Sequence, residues 1–268
     1  MSISLNSSFS GSSAISGQSS TNDSLQKLSS GSRINNASDD AAGLAISEKL
    51  TSKLGGFDTA IRNANDSISA IQVADGALQS LNDNVARIQE LTLQAGNGAL
   101  NSQDRQALQA EADQLIEDSN RLLENTNFNG KSLLSSDEGI SVQLDEPSNT
   151  VQVGAKNLAK EFKELGFGDI DLTSQSAANK SLETLTSASE LVISRQSELG
   201  AVSNRLESSI DTISASRVNI AEARSRISDT DFAKVASDLA ASQVRDQAQI
   251  AVQAQANGQR SAVLQLLS

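Results

Sequence analysis

The stretch LETLTSASELVISRQSELGAVSNRLESSIDTISASRVNIAEARSRI, residues 182–227, decides the fold. Within it Leu185, Val192, Leu199, Leu206, Ile213, Ile220 and Ile227 fall seven apart without a miss. A seven-residue apolar repeat held that long predicts one helix with a seam that must bury against another helix. At about 1.5 Å of rise per residue the repeat spans roughly 65 Å. Such an element points to a structural or assembly role before any motif is read.

A partner lies in the first third of the chain. Apolar residues recur at Ile61, Ala64, Ile68, Ile71, Ala74, Leu78, Leu81, Val85 and Ile88. The spacing is a heptad pattern with one extra three-residue step, which reads as a stammer. Ser38 before Asp39-Asp40 reads as the cap that starts this helix. Gly55-Gly56 marks a place for a bend, and Ala95-Gly96-Asn97-Gly98 ends it. A second helix is predicted from the Ser102-Gln103-Asp104 cap to about Asn125, with a seam of Leu108, Ala112, Leu115, Ser119, Leu122 and Thr126. The short turn before it makes the two helices antiparallel.

In the middle the period changes. Ile140, Val142 and Leu144 alternate with polar residues, DEPSN supplies a turn, and Val151 and Val153 alternate again. This predicts a small β-hairpin with Pro147 at its turn. Residues 156–180 read as irregular, broken by Gly166 and Gly168, before the long helix at about 181–228. Ser228-Asp229-Thr230-Asp231 is a second cap-like break, and Phe232, Val235 and Leu239 open a weaker amphipathic helix. The fold class is therefore mainly α: a long antiparallel coiled-coil or helical-bundle rod formed by both chain ends, with a small β-hairpin region in the middle.

Composition agrees. Of 268 residues 37% are hydrophobic and 2% aromatic, all Phe, too few large side chains for a wide globular core. A net charge of −12 and the absence of a basic stripe argue against nucleic acid. No stretch approaches the roughly 20 apolar residues of a membrane span, so no membrane insertion is expected. The start, MSISLNSSFSGSSAISGQSS, lacks the basic and apolar regions of a conventional cleaved secretory signal, and its Ser/Gly content reads as poorly ordered in isolation.

With no His, Cys, Tyr or Trp, the nucleophile–base pairs and the thiolate or imidazole metal sites are excluded. Asp39-Asp40 and Asp229/Asp231 lack calcium-loop spacing and read as caps. No catalytic residue, cofactor or metal is expected, and no enzyme. At the other end Val263, Leu264, Leu266 and Leu267 form an aliphatic cluster, which reads as a terminal assembly surface.

The same segments carry a resemblance. LQKLSSGSRINNASDDAAGLAISEKL at 25–50, RNANDSISAIQVADGAL at 62–78, RIQELTLQAGNGALNSQDR at 87–105, FNGKSLL at 128–134, LGAVSNRLESSI at 199–210 and NIAEARSRISDTD at 219–231 closely resemble bacterial flagellin. The similarity covers about residues 20–135 and 185–268, leaving out the middle. It implies a short flagellin lacking large outer domains. The corresponding division is 1–38 and 230–268 for the filament-core domain, with 39–135, 136–180 and 181–229 for the rod domain.

The resemblance further implies a structural subunit that self-assembles into the extracellular flagellar filament used for swimming. It implies export in the unfolded state by the flagellar type III apparatus, a cytoplasmic flagellin chaperone, and contacts with the flagellar cap and hook-associated junction proteins. The pattern R-x-x-E-L-x-x-Q matches at Arg87, Glu90, Leu91 and Gln94, joined by Glu111 in the LQAE segment of the second helix, and implies recognition by the flagellin-sensing Toll-like receptor. A hook–filament junction protein is the nearest rival. Ala37-Ser38-Asp39-Asp40-Ala41-Ala42-Gly43 lacks the proline such proteins tend to carry there. A monomeric coiled-coil adaptor is the rival of another class; it would need neither apolar chain ends nor paired terminal helices.

Overall fold

The computed structural model describes the backbone at residues 9–144, 150–154 and 156–267, and side chains over 19–259 and at 261 within those stretches. In chain order the elements are α1 (Phe9–Ser30), α2 (Ala41–Ala95), α3 (Ser102–Asn125), β1 (Asn127–Phe128), β2 (Lys131–Ser132), β3 (Ile140–Gln143), β4 (Thr150–Val153), α4 (Leu158–Glu164), a 3₁₀ turn (Phe167–Asp169), α5 (Gln175–Ser228) and α6 (Phe232–Leu267). They form two compact units. One comprises residues up to Leu54 together with those from Val218 onward, and the other is Gly55–Arg217. Both divisions fall inside long helices, α2 and α5.

In the Gly55–Arg217 unit α2 and α5 run antiparallel. Asp58 pairs with Arg217 at 2.9 Å near one end, and Gly96 lies beside Asn179 near the other. The buried line along α2 is Phe57, Ala60, Ala64, Ser67, Ile71, Ala74, Leu78, Leu81, Val85, Ile88, Thr92 and Ala95. These alternate three and four apart throughout, so the stammer expected from the sequence is absent. Ile61 and Ile68 sit half-buried on the flank. Small Ala60 and Ser67 take the inner positions in their stead, beside the expected Ala64, where close helix approach favours small volume over hydrophobicity. Gly55-Gly56 lies in unbroken helix.

Along α5 the buried residues are Ala178, Ser181, Leu185, Ala188, Val192, Arg195, Leu199, Leu206 and Ile213. Ile220 and Ile227, which continue the repeat into the other unit, are half-buried. The helix begins six residues before the expected 181, at Gln175, where Ser174 Oγ accepts the Ala177 N–H at 3.1 Å.

Helix α3 is antiparallel to α2: Arg87 meets Glu111 and Asn84 meets Ser119. Its cap is Asn101, in a reciprocal box with Asp104, one residue earlier than the expected Ser102. Its inner face is Ala112, Ile116, Ser119, Leu123 and Thr126, while Leu108, Leu115 and Leu122 are half-buried. The expected seam was thus rotated by about one residue at those leucines.

The β-hairpin pairs Ile140 with Val153 and Val142 with Val151, antiparallel, and buries Val142, Leu144, Val151 and Val153. Its turn, with Pro147, lies outside the described residues. The region read as irregular holds α4, capped by Asn157, whose side chain accepts the Lys160 N–H. Phe162 of α4 packs edge-to-face on Phe167 with centroids 4.9 Å apart. Gly166, at φ 74°, makes the left-handed turn between them.

In the other unit α1 packs along α6, and Thr21 Oγ1 meets Ser242 Oγ at 3.2 Å and Asp246 Oδ2 at 3.1 Å. Helix α1 starts at Phe9, inside the Ser/Gly-rich stretch that composition alone reads as poorly ordered in isolation, and runs beside α6. The breaks at 31–40 and 228–231 are bonded together. Arg33 N–H donates to Ser228 O at 2.6 Å, Thr230 N–H to Gly31 O at 3.0 Å, and the Arg33 guanidinium to Ile227 O at 2.7 Å. The cap of α2 is Asp40, whose Oδ1 accepts the Gly43 N–H at 2.8 Å, not Ser38. Asp39 instead accepts the N–H groups of Asn35 and Asn36, which hold its carboxyl below the ordinary range.

Candidate recognition and assembly surfaces

Of the residues singled out in the sequence, α2 carries Arg87, Glu90, Leu91 and Gln94 and α3 carries Glu111. Because α3 runs back along α2, Glu111 arrives beside Arg87. The guanidinium reaches Glu111 Oε1 through Nε at 3.0 Å and a terminal nitrogen at 2.7 Å, and Glu90 Oε2 at 3.0 Å. The hydrogen bonds to Glu111, then those to Glu90, raise the Arg87 pKa above its ordinary value. All three side chains are about half exposed or more, so the network is a fixed polar surface and a minor contributor to stability.

Leu91 departs from the group. It is 2% exposed and belongs to the core, because it neighbours Ile88 and Thr92 on the inner side of α2. A partner docking on this face would meet Arg87, Glu90, Gln94 and Glu111 but not Leu91. Leu93, which sequence reasoning passed over, is 63% exposed between Glu90 and Gln94. Its position outside the three–four alternation was the signal that could have found it.

Arg105 closes the end of α2. It donates to Ala95 O and Asn97 O, both at 2.9 Å, satisfying carbonyls that the helix end leaves open. Gln109 of α3 clamps the segment before α5, donating to Ile170 O at 2.9 Å and accepting Leu172 N–H at 2.6 Å.

Helix α6 is the second surface. Val263, Leu264, Leu266 and Leu267 fall on its last turns, and their side chains lie outside the described residues. Among its described side chains Ser242 alone is buried, while Phe232, Val244, Ile250 and Val252 are all more than half exposed. Among the described residues no three His, Cys, Asp or Glu side chains group as a metal site, and no helix is long and apolar enough to cross a membrane.

Comparison with known proteins places this arrangement. Family models match at both ends: the bacterial flagellin N-terminal helical region at residues 11–139 and the bacterial flagellin C-terminal helical region at 182–267. The chain belongs to the bacterial flagellin family. It is 39% identical to a flagellin of Halalkalibacterium halodurans over 246 residues, covering 91% of this chain and 90% of that one. It is 36% identical to a flagellar filament 30.7 kDa core protein of Treponema maltophilum, covering 91% of both chains. Among solved structures, Bacillus cereus flagellin superposes with a TM-score of 0.52 at 28% identity, over 61% of this flagellin and 94% of that chain. Flagellins are structural proteins and not enzymes.

Proposed function

We propose that this flagellin is a structural subunit that polymerises with copies of itself into the extracellular filament of the bacterial flagellum. The observation that carries the reading is the state of α6. It is a 36-residue helix whose own chain buries one described side chain and leaves Val244, Ile250 and Val252 in water. An isolated amphipathic helix draws its stability from the surface that covers its apolar face. Further copies of the same chain supply that cover, and the aliphatic cluster Val263, Leu264, Leu266 and Leu267 extends it. The name of the Treponema relative, a filament core protein, supports the same role.

The finer partners follow from this reading. The subunit leaves the cell unfolded through the flagellar type III apparatus, which needs the weakly packed ends to open easily. A cytoplasmic chaperone covers the apolar C-terminal helix until export. The flagellar cap receives the subunit, and hook-associated junction proteins hold the filament base. The exposed side chains Arg87, Glu90, Gln94 and Glu111 form the surface offered to the flagellin-sensing Toll-like receptor. Leu91 acts on that surface only by holding α2 in place. The α2 and α5 seams serve as the stiff spine of the subunit.

A putative flagellar hook-associated protein of Vibrio parahaemolyticus shares the fold, with a TM-score of 0.59, but at 15% identity. That likeness is one of fold alone, and the filament reading stands ahead of a junction role. Electron microscopy of the full-length protein after seeding tests it. Tubes are expected. Their absence under conditions that polymerise another flagellin contradicts the reading.

A further inference from the structure

Between α4 and the middle of α5 lies an open groove. Leu165 and Leu191 line it together with Ser187 and Ser194, and Glu161, Glu164 and Glu190 ring it. Of the apolar pair, Leu165 is 37% exposed and Leu191 half-buried. The ring is poorly neutralised. Glu161 is 3.8 Å from Arg195 and Glu164 is 4.0 Å from Lys160, while Glu190 joins no ion pair among the described residues. An apolar centre inside a charged rim is the anatomy of a protein interface. It fits a helix with one apolar side chain flanked by cations.

The chain carries that complement on α2. Ile46, Lys49 and Lys53 lie three and four residues apart, on one helix face. Ile46 is 50% exposed and both lysines are exposed; Lys49 joins no ion pair among the described residues, while Lys53 already has an interaction within its own chain. We propose that the Ile46–Lys49–Lys53 face of one copy docks in the Leu165–Leu191 groove of a second copy. The proposal rests on the filament reading and names one of its contacts. With a net charge of −12, copies repel at long range, so a contact needs a local cationic face against a local acidic one. The two faces are different surfaces, so the contact is head-to-tail. Repeated without closure, a head-to-tail contact builds an open helical array.

The test reverses each face. One variant carries Glu164→Lys and Glu190→Lys, the other Lys49→Glu and Lys53→Glu, with helix content checked by circular dichroism. Critical concentration for seeded polymerisation is read by sedimentation. Each variant alone is expected to need at least about tenfold more protein than wild type, since like charges then face each other. An equimolar mixture is expected to recover to within about twofold of wild type, because each reversed stripe finds an opposite groove. Variants that polymerise like wild type, or a mixture no better than its components, overturn the docking. Should a double variant lose helix, Glu190→Gln and Lys49→Gln replace it, with a several-fold rise expected and no change overturning the proposal. Wild type in the same series separates the two readings: no polymer from wild type overturns the filament reading as well.

Discussion

At Gly43 the start of α2 has no room for a side chain. A methyl group there would lie 2.5 Å from Asp40 Oδ2 and 2.7 Å from Ile34 Cδ1. Alanine in place of glycine inside a helix ordinarily stabilises by about 0.5–1 kcal/mol. Gly43→Ala reverses that sign, destabilising by about 1 kcal/mol as the capping Asp40 carboxylate and the buried Ile34 side chain are displaced. Gly76→Ala, with nothing within 4 Å, follows the ordinary rule and stabilises. Urea midpoints of the two variants check the opposite signs.

Arg195 is a second residue that pattern alone hides. It occupies a seam position of α5 between Val192 and Leu199 at 6% exposure, bonded to Glu198 at 2.8 Å and reaching Lys156 O at 3.4 Å. Periodicity marks where a seam position falls but not that a cation fills it, since Glu198 and Glu161 come from a turn onward and from α4. The Glu198 carboxyl ionises below its ordinary value near 4.5, chiefly through its hydrogen bond with Lys156 and further through Arg195. A carboxyl shifted down stabilises the fold fully above its unfolded value, and that stabilisation fades as pH falls through the lower folded value. Glu198→Gln therefore loses stability at neutral pH, by less than about 1 kcal/mol because the pair is half exposed. The variant also gives a flatter thermal midpoint than wild type between about pH 5 and 3.

Among the elements, α2, α3, α5 and the start of α6 were legible from their periods, α3 to within a residue, while α5 began six residues early and α1 was not read as a helix. The face each helix turns inward was less legible. Reading α2 by its apolar period chose Ile61 and Ile68 on either side of Ala64, whereas packing chose Ala60 and Ser67 around it. Hydrophobicity cannot separate adjacent apolar positions when a close helix crossing rewards small volume. Helix α4 escaped because a seven-residue helix shows less than two full periods, and Gly166 nearby looked like a breaker. The inner line predicts a contrast within one helix. Ile71→Ser, at a buried position, costs about 3 kcal/mol or more, while Ile68→Ser, half-buried three residues earlier, costs about 1 kcal/mol. Thermal denaturation followed at 222 nm distinguishes them.

For the whole molecule, the pairing of distant chain segments follows from matched repeats, and the family from motifs at both ends. What the recognition surface exposes did not follow. The motif R-x-x-E-L-x-x-Q runs along a helix whose inner side takes Leu91, so only the structure divides its residues between core and surface. The central claim is that copies of the chain cover what α6 leaves open. Limited proteolysis with cleavage sites mapped by mass spectrometry tests it most directly, on dilute monomer and on polymer. The account predicts that monomer keeps roughly residues 45–230 while both ends are trimmed, and that polymer protects the ends as well. Ends as resistant in dilute monomer as the α2–α5 region would contradict it.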